Sequence, residues 1–393
     1  MVGTRDLAPE TSNLVGCRNN FKCDSKASSG RKISVFIPVY RSSDLLDGLL
    51  SKLTSCNYED KEIFVAIDEP DETSLEIVNR YEGKVGFILS FERRGKVEAL
   101  NSAIKVSSGE ILVFLDADVQ IRSEEFFELI EKEMDGAEIL DFKKEIITDS
   151  FISKMVNYEF LSCNLVSYLY SKLVQKCIGI NGVAFAITRK AFEEVGGFSK
   201  VISEDFDLAV RTLFKNKKFK YTEKVLVCTK APSGWREWFN QRKRWGIGVG
   251  LWLKDYWKKL LRYLVKYPHV VIPTFIIFFP TFISILFNYA FTSFPIFKNS
   301  DFFPPFFMMH TSIVVPFISY VGILLLTCSA TFFVSFLSFS ALFYLAARKL
   351  KLHFSFAEFL IYFFLYQPLA SIILLACIIA AFFSANHKLE WKV

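Results

Sequence analysis

Apolar and polar positions change rhythm twice along this chain. From Ile33 to about Cys228, short apolar runs alternate with segments of helical spacing. Ile33–Val39, Ile63–Ile67, Val85–Leu89 and Ile111–Leu115 read as strands, and Asp44–Leu53, Ser74–Tyr81 and Lys96–Val106 as the helices between them. Further on, Ser150–Lys176 reads as a helix, Ile178–Ile187 as a strand and Asp205–Lys215 as a helix. Such alternation predicts an α/β domain with a mainly parallel sheet covered by helices. From Trp235 to Lys266, Trp, Arg and Lys interleave with Leu, Ile and Tyr, and five of the six Trp lie between Trp235 and Trp257. That mixture predicts amphipathic helix in a bilayer interface, with aromatic rings at headgroup level and cations toward anionic lipid.

Beyond this helix the pattern becomes apolar. Val270–Phe291 is uncharged, Phe302–Ala347 carries only His310 as an ionisable group, and Phe354–Phe383 carries only Glu358. These stretches suffice for about three membrane spans, Phe302–Ala347 being counted as one long or tilted crossing. The basic run Arg348-Lys349-Leu350-Lys351 is expected on the cytoplasmic side, together with the α/β domain. The expected divisions are a polar tail over 1–30, the α/β domain over 31–230, interface helices over 231–267, a transmembrane region over 268–384 and a tail over 385–393.

Composition agrees with this division. Of 393 residues 52% are hydrophobic, including 43 Phe. The first ~30 residues lack the apolar core of a signal peptide, so the α/β domain is expected in the cytoplasm of a multi-pass protein of the cell membrane. The eight cysteines are scattered without zinc-site spacing and read as reduced thiols. The net charge of +6, much of it ahead of the apolar segments, suits a membrane surface or phosphorylated substrates better than nucleic acid. Spans with so few ionisable groups also argue against a transporter.

Four clusters carry the chemistry. The apolar run Ile111–Leu115 ends in Asp116 and Asp118, hard oxygen ligands suited to Mg²⁺ or Mn²⁺ on a diphosphate. Ile33–Tyr40 and Val65–Asp68 end likewise, placing Asp68 where a base or ribose is bound in open α/β sheets. Arg93-Arg94-Gly95-Lys96 places cations at a helix start, which suits a phosphate. Ser203-Glu204-Asp205-Phe206-Asp207 offers a carboxylate to deprotonate an attacking hydroxyl. Gln241-Arg242-Lys243-Arg244-Trp245 offers Arg244 for a leaving diphosphate and the Trp245 ring for a sugar face.

In this order the clusters resemble the membrane-embedded family 2 glycosyltransferases, a group that includes cellulose, chitin, hyaluronan and poly-N-acetylglucosamine synthases and ceramide glucosyltransferases. The matching elements include Gly95-Lys96-x-x-Ala99-Leu100-Asn101, Asp116-Ala117-Asp118, Asn181-Gly182, Val195-Gly196-Gly197-Phe198, Ser203-Glu204-Asp205 and Gln-x-x-Arg-Trp, within about residues 31–250. The resemblance implies a GT-A fold, Rossmann-like and nucleotide-sugar-binding, followed by helical membrane segments. It implies a nucleotide-sugar donor, usually UDP-linked, with Asp68 and Asp116 holding uridine, Lys96 beside the nucleotide and Asp118 on the metal. Asp205 would be the general base of an inverting transfer, and Glu204, Gln241, Arg244 and Trp245 would line the acceptor and diphosphate region. Two departures stand out: Asp68 is followed by Glu-Pro-Asp rather than an Asp-Gly-Ser-type turn, and no apolar span precedes the α/β domain. The expected acceptor is a growing β-linked polysaccharide or oligosaccharide, with single-sugar transfer to a membrane lipid as the alternative. Homo-oligomerisation or a separate export partner is one way such a chain completes an export path.

Overall fold

The computed structural model describes residues 30–293 and 314–383. The α/β part runs β1 (Ile33–Tyr40), α1 (Leu46–Ser55), β2 (Lys61–Asp68), α2 (Glu72–Arg80), β3 (Gly86–Ser90), α3 (Lys96–Val106), β4 (Ile111–Leu115) and β5 (Val119–Ile121). It continues through α4 (Phe126–Glu133), β6 (Ile139–Ile147), α5 (Phe151–Leu173), β7 (Ala184–Thr188), α6 (Arg189–Glu194), α7 (Glu204–Phe214) and β8 (Phe219–Lys230). A long helix follows, α8 (Trp235–Lys266), and then α9 (Pro268–Phe278), α10 (Pro280–Ser293), α11 (Val314–Leu350), α12 (Phe356–Ile361), a π-helical turn at Tyr362–Tyr366 and α13 (Gln367–Phe383).

All eight strands join one sheet in the order β3-β2-β1-β4-β7-β6-β8-β5. The first half is parallel, as the β-α-β rhythm predicts. The second half is mixed: β7 lies antiparallel to both β4 and β6, and β5 antiparallel to β8, while β6 and β8 run parallel, so the sheet stays mainly parallel with antiparallel strands added. The strand expected over Ile178–Ile187 forms only from Ala184, and β5, α4, β6 and β8 add elements that the pattern did not single out.

Alternation along β1 shows how the sheet is covered. Val35 and Ile37 join a core with Leu46, Leu50, Phe126 and Phe127 on one face, while Phe36 joins Leu100, Phe114 and Phe185 on the other. The second core does not stop at the domain boundary. Through α5 it runs on to Trp238, Val270, Phe343, Phe359 and Tyr362, so apolar helices and sheet share one interior. Ser150 caps α5 with a reciprocal box to Ser153, fixing where this shared wall begins.

Among the described residues, Ser329–Leu350 and Phe356–Phe383 are long and apolar enough to cross a membrane, and a third candidate arises if the bent pair α8 and α9 is counted as one. The expected span Val270–Phe291 is interrupted at Phe279 between two shorter helices, and positions 302–313 of the expected middle span lie outside the described residues. Lys143 Nζ donates to Lys351 O at 3.0 Å and Tyr158 Oη to Ser355 O at 3.0 Å. The basic loop after α11 therefore sits on the same side as the sheet.

Helix α8 departs most from its expected surroundings. Trp238 and Trp252 are buried in protein rather than set in a bilayer surface. Along Trp238–Gly250, α8 runs beside α13 in the same direction. A Cβ on Gly246 would lie 2.6 Å from Cys377 Cβ, and one on Gly250 would lie 2.6 Å from Ile378 O. This Gly-x-x-x-Gly spacing lets two helix backbones approach closely. Gly250→Val should therefore lower stability by about 1–3 kcal/mol, read as an earlier thermal transition in detergent. Gly48→Ala, in α1 with open space around it, should raise stability by about 0.5–1 kcal/mol; equal shifts for both would contradict the packing described.

Candidate active site

The parallel strands deliver their polar residues to one edge. Tyr40 ends β1 opposite Asp68 at the end of β2, and Asp116 follows the last residue of β4. Asp68 is buried and accepts a hydrogen bond from Gly95 N–H at 2.6 Å. Gly95 has φ 86°, a conformation in which a side chain is strained, so a glycine there lets the loop fold back onto the carboxylate. Burial raises the Asp68 pKa against the pull of the Gly95 and Arg94 N–H groups and of the Arg94 and Arg93 charges. The Arg93 guanidinium lies 4.4 Å from the Tyr40 ring centroid, at the same edge.

Lys96 opens α3 and reaches across the edge. Its Nζ lies 2.9 Å from Asp116 Oδ1 and 3.0 Å from Glu204 Oε1, joining the end of β4 to the start of α7. Despite desolvation, the Asp116, Glu204 and Asp205 charges hold this lysine protonated, with its pKa raised. Asp116 is fixed through its backbone, whose N–H donates to Val183 O at 2.9 Å. Asp118 is pushed up to about 6 by burial and by the neighbouring Asp116 charge, against weaker pulls from Lys96 and Lys230.

Asp205 sits in the first turn of α7. Its Oδ2 accepts from Gly182 N–H at 3.0 Å and its Oδ1 from Phe206 N–H at 2.8 Å. A Cβ at position 182 would come within 2.7 Å of Asp205 Oδ2, which makes glycine a requirement for this approach. Desolvation, followed by the Glu204 charge, pushes Asp205 up to about 7, against Lys96 and the two N–H donors. Asp207, three residues into the same cluster, does different work. It pairs with Arg211 at 2.6 Å and accepts from Tyr256 Oη at 2.7 Å, tying α7 to α8.

On α8 the motif residues divide between two faces. Gly248 abuts Ser203, just ahead of Glu204 and Asp205. Gln241, Arg244 and Trp245 lie on the same face, one and two turns before Gly248. Arg244 and Trp245 are exposed and Gln241 is half-buried. Arg242 points the other way and is buried. It pairs with Glu159 of α5, donates to Tyr366 Oη at 3.0 Å and to Gln241 Oε1 at 2.8 Å, and lies 4.3 Å from the Trp245 ring centroid. Sequence reading passed over Arg242 and Glu159. The available signal was Arg242 standing four residues after one Trp and three before another, a spacing that stacks all three along a helix.

One cleft is lined by Lys96, Asp116, Glu204 and Asp205 together with Pro38 and Gly182, while Asp68 joins this edge through Gly95 and Asp118 through the charges of Asp116 and Lys96. Among the described residues no three His, Cys, Asp or Glu side chains group as a closed metal cage. Asp116 and Asp118 are instead two hard oxygen donors whose charges interact, the chemistry a divalent cation suits.

Residues 34–196 match the family described as glycosyl transferase family 2. That span ends before α7 and covers Asp68, Lys96, Asp116 and Asp118. Residues 34–196, less than half of the chain, are thus a family 2 glycosyltransferase domain. The "Probable glycosyltransferase YdaM" of Bacillus subtilis is 26% identical over 230 residues, 55% of this chain and 55% of that protein. A "Poly-beta-1,6-N-acetyl-D-glucosamine synthase" of Staphylococcus epidermidis is 26% identical over 299 residues, 69% of this chain and 70% of the synthase. The chain thus spans about half the length of the first and more than two thirds of the second. Among solved structures, the "Mannosyltransferase PcManGT from Pyrobaculum calidifontis in complex with GDP-Man and Mn2+" superposes with a TM-score of 0.53 at 16% identity, over 91% of this chain and 88% of that one. The architecture is therefore a GT-A-like fold over the family 2 match, followed by a helical C-terminal region.

The Arg242 network gives a structural prediction for this enzyme. Removing one partner of a buried ion pair leaves the other uncompensated, at a cost of about 3–5 kcal/mol. Because Glu159 keeps 21% of its side chain exposed, Arg242→Met should fall near the low end of that range. Adding Glu159→Met should recover part of the loss. Chemical unfolding of the two variants checks this, and additive losses would show that the pair is not coupled.

Proposed function

We propose that this protein is an inverting membrane glycosyltransferase that moves a sugar from a nucleoside-diphosphate-sugar to a growing β-linked glycan. The observation that carries the reading is Asp205, held by Gly182 and Phe206 N–H groups with its pKa near neutrality. A carboxylate so placed takes a proton from an acceptor hydroxyl at physiological pH. That hydroxyl attacks the anomeric carbon from the side opposite the diphosphate, the C–O bond to the diphosphate breaks, and Asp205 keeps the proton.

The other residues fall into roles around this step. Asp68 and Asp116 bind the donor nucleoside, Asp68 through whatever capacity its bond to Gly95 leaves free. Asp118, with Asp116, would hold Mg²⁺ or Mn²⁺ on the donor diphosphate, where such an ion neutralises leaving-group charge. Lys96 supplies a fixed positive charge between the two carboxylate groups. Gln241, Arg244 and Trp245 face the Asp205 side of α8, where Arg244 meets diphosphate and Trp245 a sugar ring. The polysaccharide-synthase relatives, aligned over 69% of the chain, favour a glycan acceptor. The basic loop on the sheet side, next to the candidate spans, supports a cytoplasmic catalytic domain in a multi-pass membrane protein.

The test is nucleoside diphosphate release by purified protein with each of several nucleotide-sugars and Mg²⁺ or Mn²⁺. Asp205→Asn should lower transfer by ~10²–10⁴-fold while donor binding persists. Near-normal transfer by this variant would remove the base from the mechanism. A product ladder supports the glycan acceptor, whereas one discrete organic-soluble product moves the acceptor to a membrane lipid.

The acid limb of the pH profile follows from the same group. Only unprotonated Asp205 accepts the proton, so kcat/KM should rise with pH and bend near about 7. Rates unchanged between about pH 5.5 and about 8.5 would be inconsistent with a base of that pKa.

A further inference from the structure

The last third of α8 carries two adjacent stripes at four-residue spacing. Trp257, Leu261 and Val265 form an apolar stripe that faces outward, 44%, 51% and 81% exposed. Beside it runs a basic stripe of Lys258, Arg262 and Lys266, also exposed. The chain then turns through 111° into apolar α9, which leaves Ile272 and Phe275 uncovered. A helix in water turns such a stripe inward; a helix at a bilayer surface turns it toward acyl chains and sets cations at the headgroups.

A cleft opens at the same place, between the end of α8 and the loops that follow α5 and α7. Lys176, Asn216, Arg262, Tyr263, Lys266 and Tyr267 line it. Its cations come from two separate parts of the chain, Lys176 from the loop after α5 and the others from α8. Lys176 Nζ donates to Asn216 Oδ1, and Lys266 Nζ lies 5.4 Å from the Tyr267 ring centroid. None of the ion pairs of the neighbouring segments, such as Arg211–Asp207 and Lys217–Glu138, takes in Lys176, Arg262 or Lys266. Tyr263 Oη is buried beside Tyr267, with no well-aligned hydrogen-bond partner. Converging cations with a phenol and an amide match the oxygens of a phosphate group. A soluble phosphate would account for the cleft but not for the exposed apolar stripe next to it; a lipid accounts for both.

We propose that this cleft binds the phosphate headgroup of an anionic membrane lipid, whose acyl chains lie against Trp257, Leu261 and Val265. The site is separate from the sugar-transfer cleft, and nothing in it depends on the donor or the acceptor.

The test uses the full-length protein in detergent, offered equal phosphatidylcholine and phosphatidylglycerol, with retained lipid counted by native mass spectrometry. Wild type should prefer phosphatidylglycerol, and each cleft cation removed should weaken that preference by about fivefold. Arg262→Gln with Lys266→Gln should abolish it, and Lys176→Gln, which is not on α8, should reduce it alone. Arg236→Gln with Lys254→Gln removes as much charge from α8 outside the cleft and the stripe and should leave most of the preference. Equal losses for the two pairs would mean diffuse attraction and overturn the site. Displacement of the lipid by millimolar inorganic phosphate would assign the cleft to a free anion and overturn the lipid. The charge-conserving pair Arg262→Lys with Lys266→Arg guards against misfolding: it should keep the preference, and its loss in a monodisperse protein would also count against the proposal.

Discussion

Four carboxylates crowd one edge of the sheet, and the site exists because Lys96 stands among them. Asp116 and Glu204 belong to segments almost ninety positions apart, and the Lys96 ammonium touches both. Burial first, and then the charge of Asp116 or Glu204, raises the Asp118 and Asp205 pKa values to about 6 and about 7. Like charges at such distances disfavour ionisation unless a cation shares the space. The lysine offsets part of that repulsion and leaves the rest in place. The residue is useful chemically: one carboxylate stays basic near neutrality, and a pair stays hungry for a divalent cation.

The same economy of contacts joins chemistry to the apolar helices. Helix α5 is buried nearly all round because the sheet covers one side and α9, α11 and α12 the other. One apolar core runs from the sheet into the C-terminal helices, crossed by polar ties such as Glu159–Arg242, so the two are expected to unfold together rather than as independent domains. Helix α8 extends this union. One face meets α13 through Gly246 and Gly250, another meets Ser203 through Gly248, and its last turns carry exposed basic and apolar stripes. A single helix thereby serves three surroundings, and its unusual Gly, Trp and Lys content follows from that division of labour.

Much of this was legible from sequence where local chemistry decides the outcome. Lys96–Val106 and Ile111–Leu115 form with the expected ends, because Gly95 and Asp116 terminate the pattern sharply. Asp68, Lys96, Asp116, Asp118, Glu204 and Asp205 were all chosen from strand ends and helix starts, and the fold gathers them. What stayed hidden depended on long-range pairing. The antiparallel return of β7 cannot be read from a period of two, which is the same for either strand direction. Nor does the tryptophan cluster announce which rings are core: Trp238 and Trp252 are buried by α13, α7 and the sheet-side core, while Trp257 is not. Composition predicts an interface character for the whole helix, whereas tertiary packing buries Trp238 and Trp252 and leaves other rings, Trp235 and Trp257 among them, exposed.

Arg242 shows why a motif can contain a residue whose role differs from that of its neighbours. Gln241, Arg244 and Trp245 share the face of α8 that carries Gly248, and a helix cannot place position 242 there as well. Its side chain enters the interior instead, where an unpaired guanidinium would be costly. Glu159 comes from α5, Tyr366 from the π-helical turn ahead of α13, and the Trp238 and Trp245 rings from α8 itself. The extra residue in the π turn shifts the helix phase just ahead of the segment that docks along α8. Arg242 also hydrogen-bonds Gln241 and stacks on Trp245, so the partners that compensate its charge are the ones that fix the orientation of the face toward Asp205. Burial of this one cation thus ties the apolar C-terminal helix, the α5 wall and the cleft-facing side of α8 into a single arrangement.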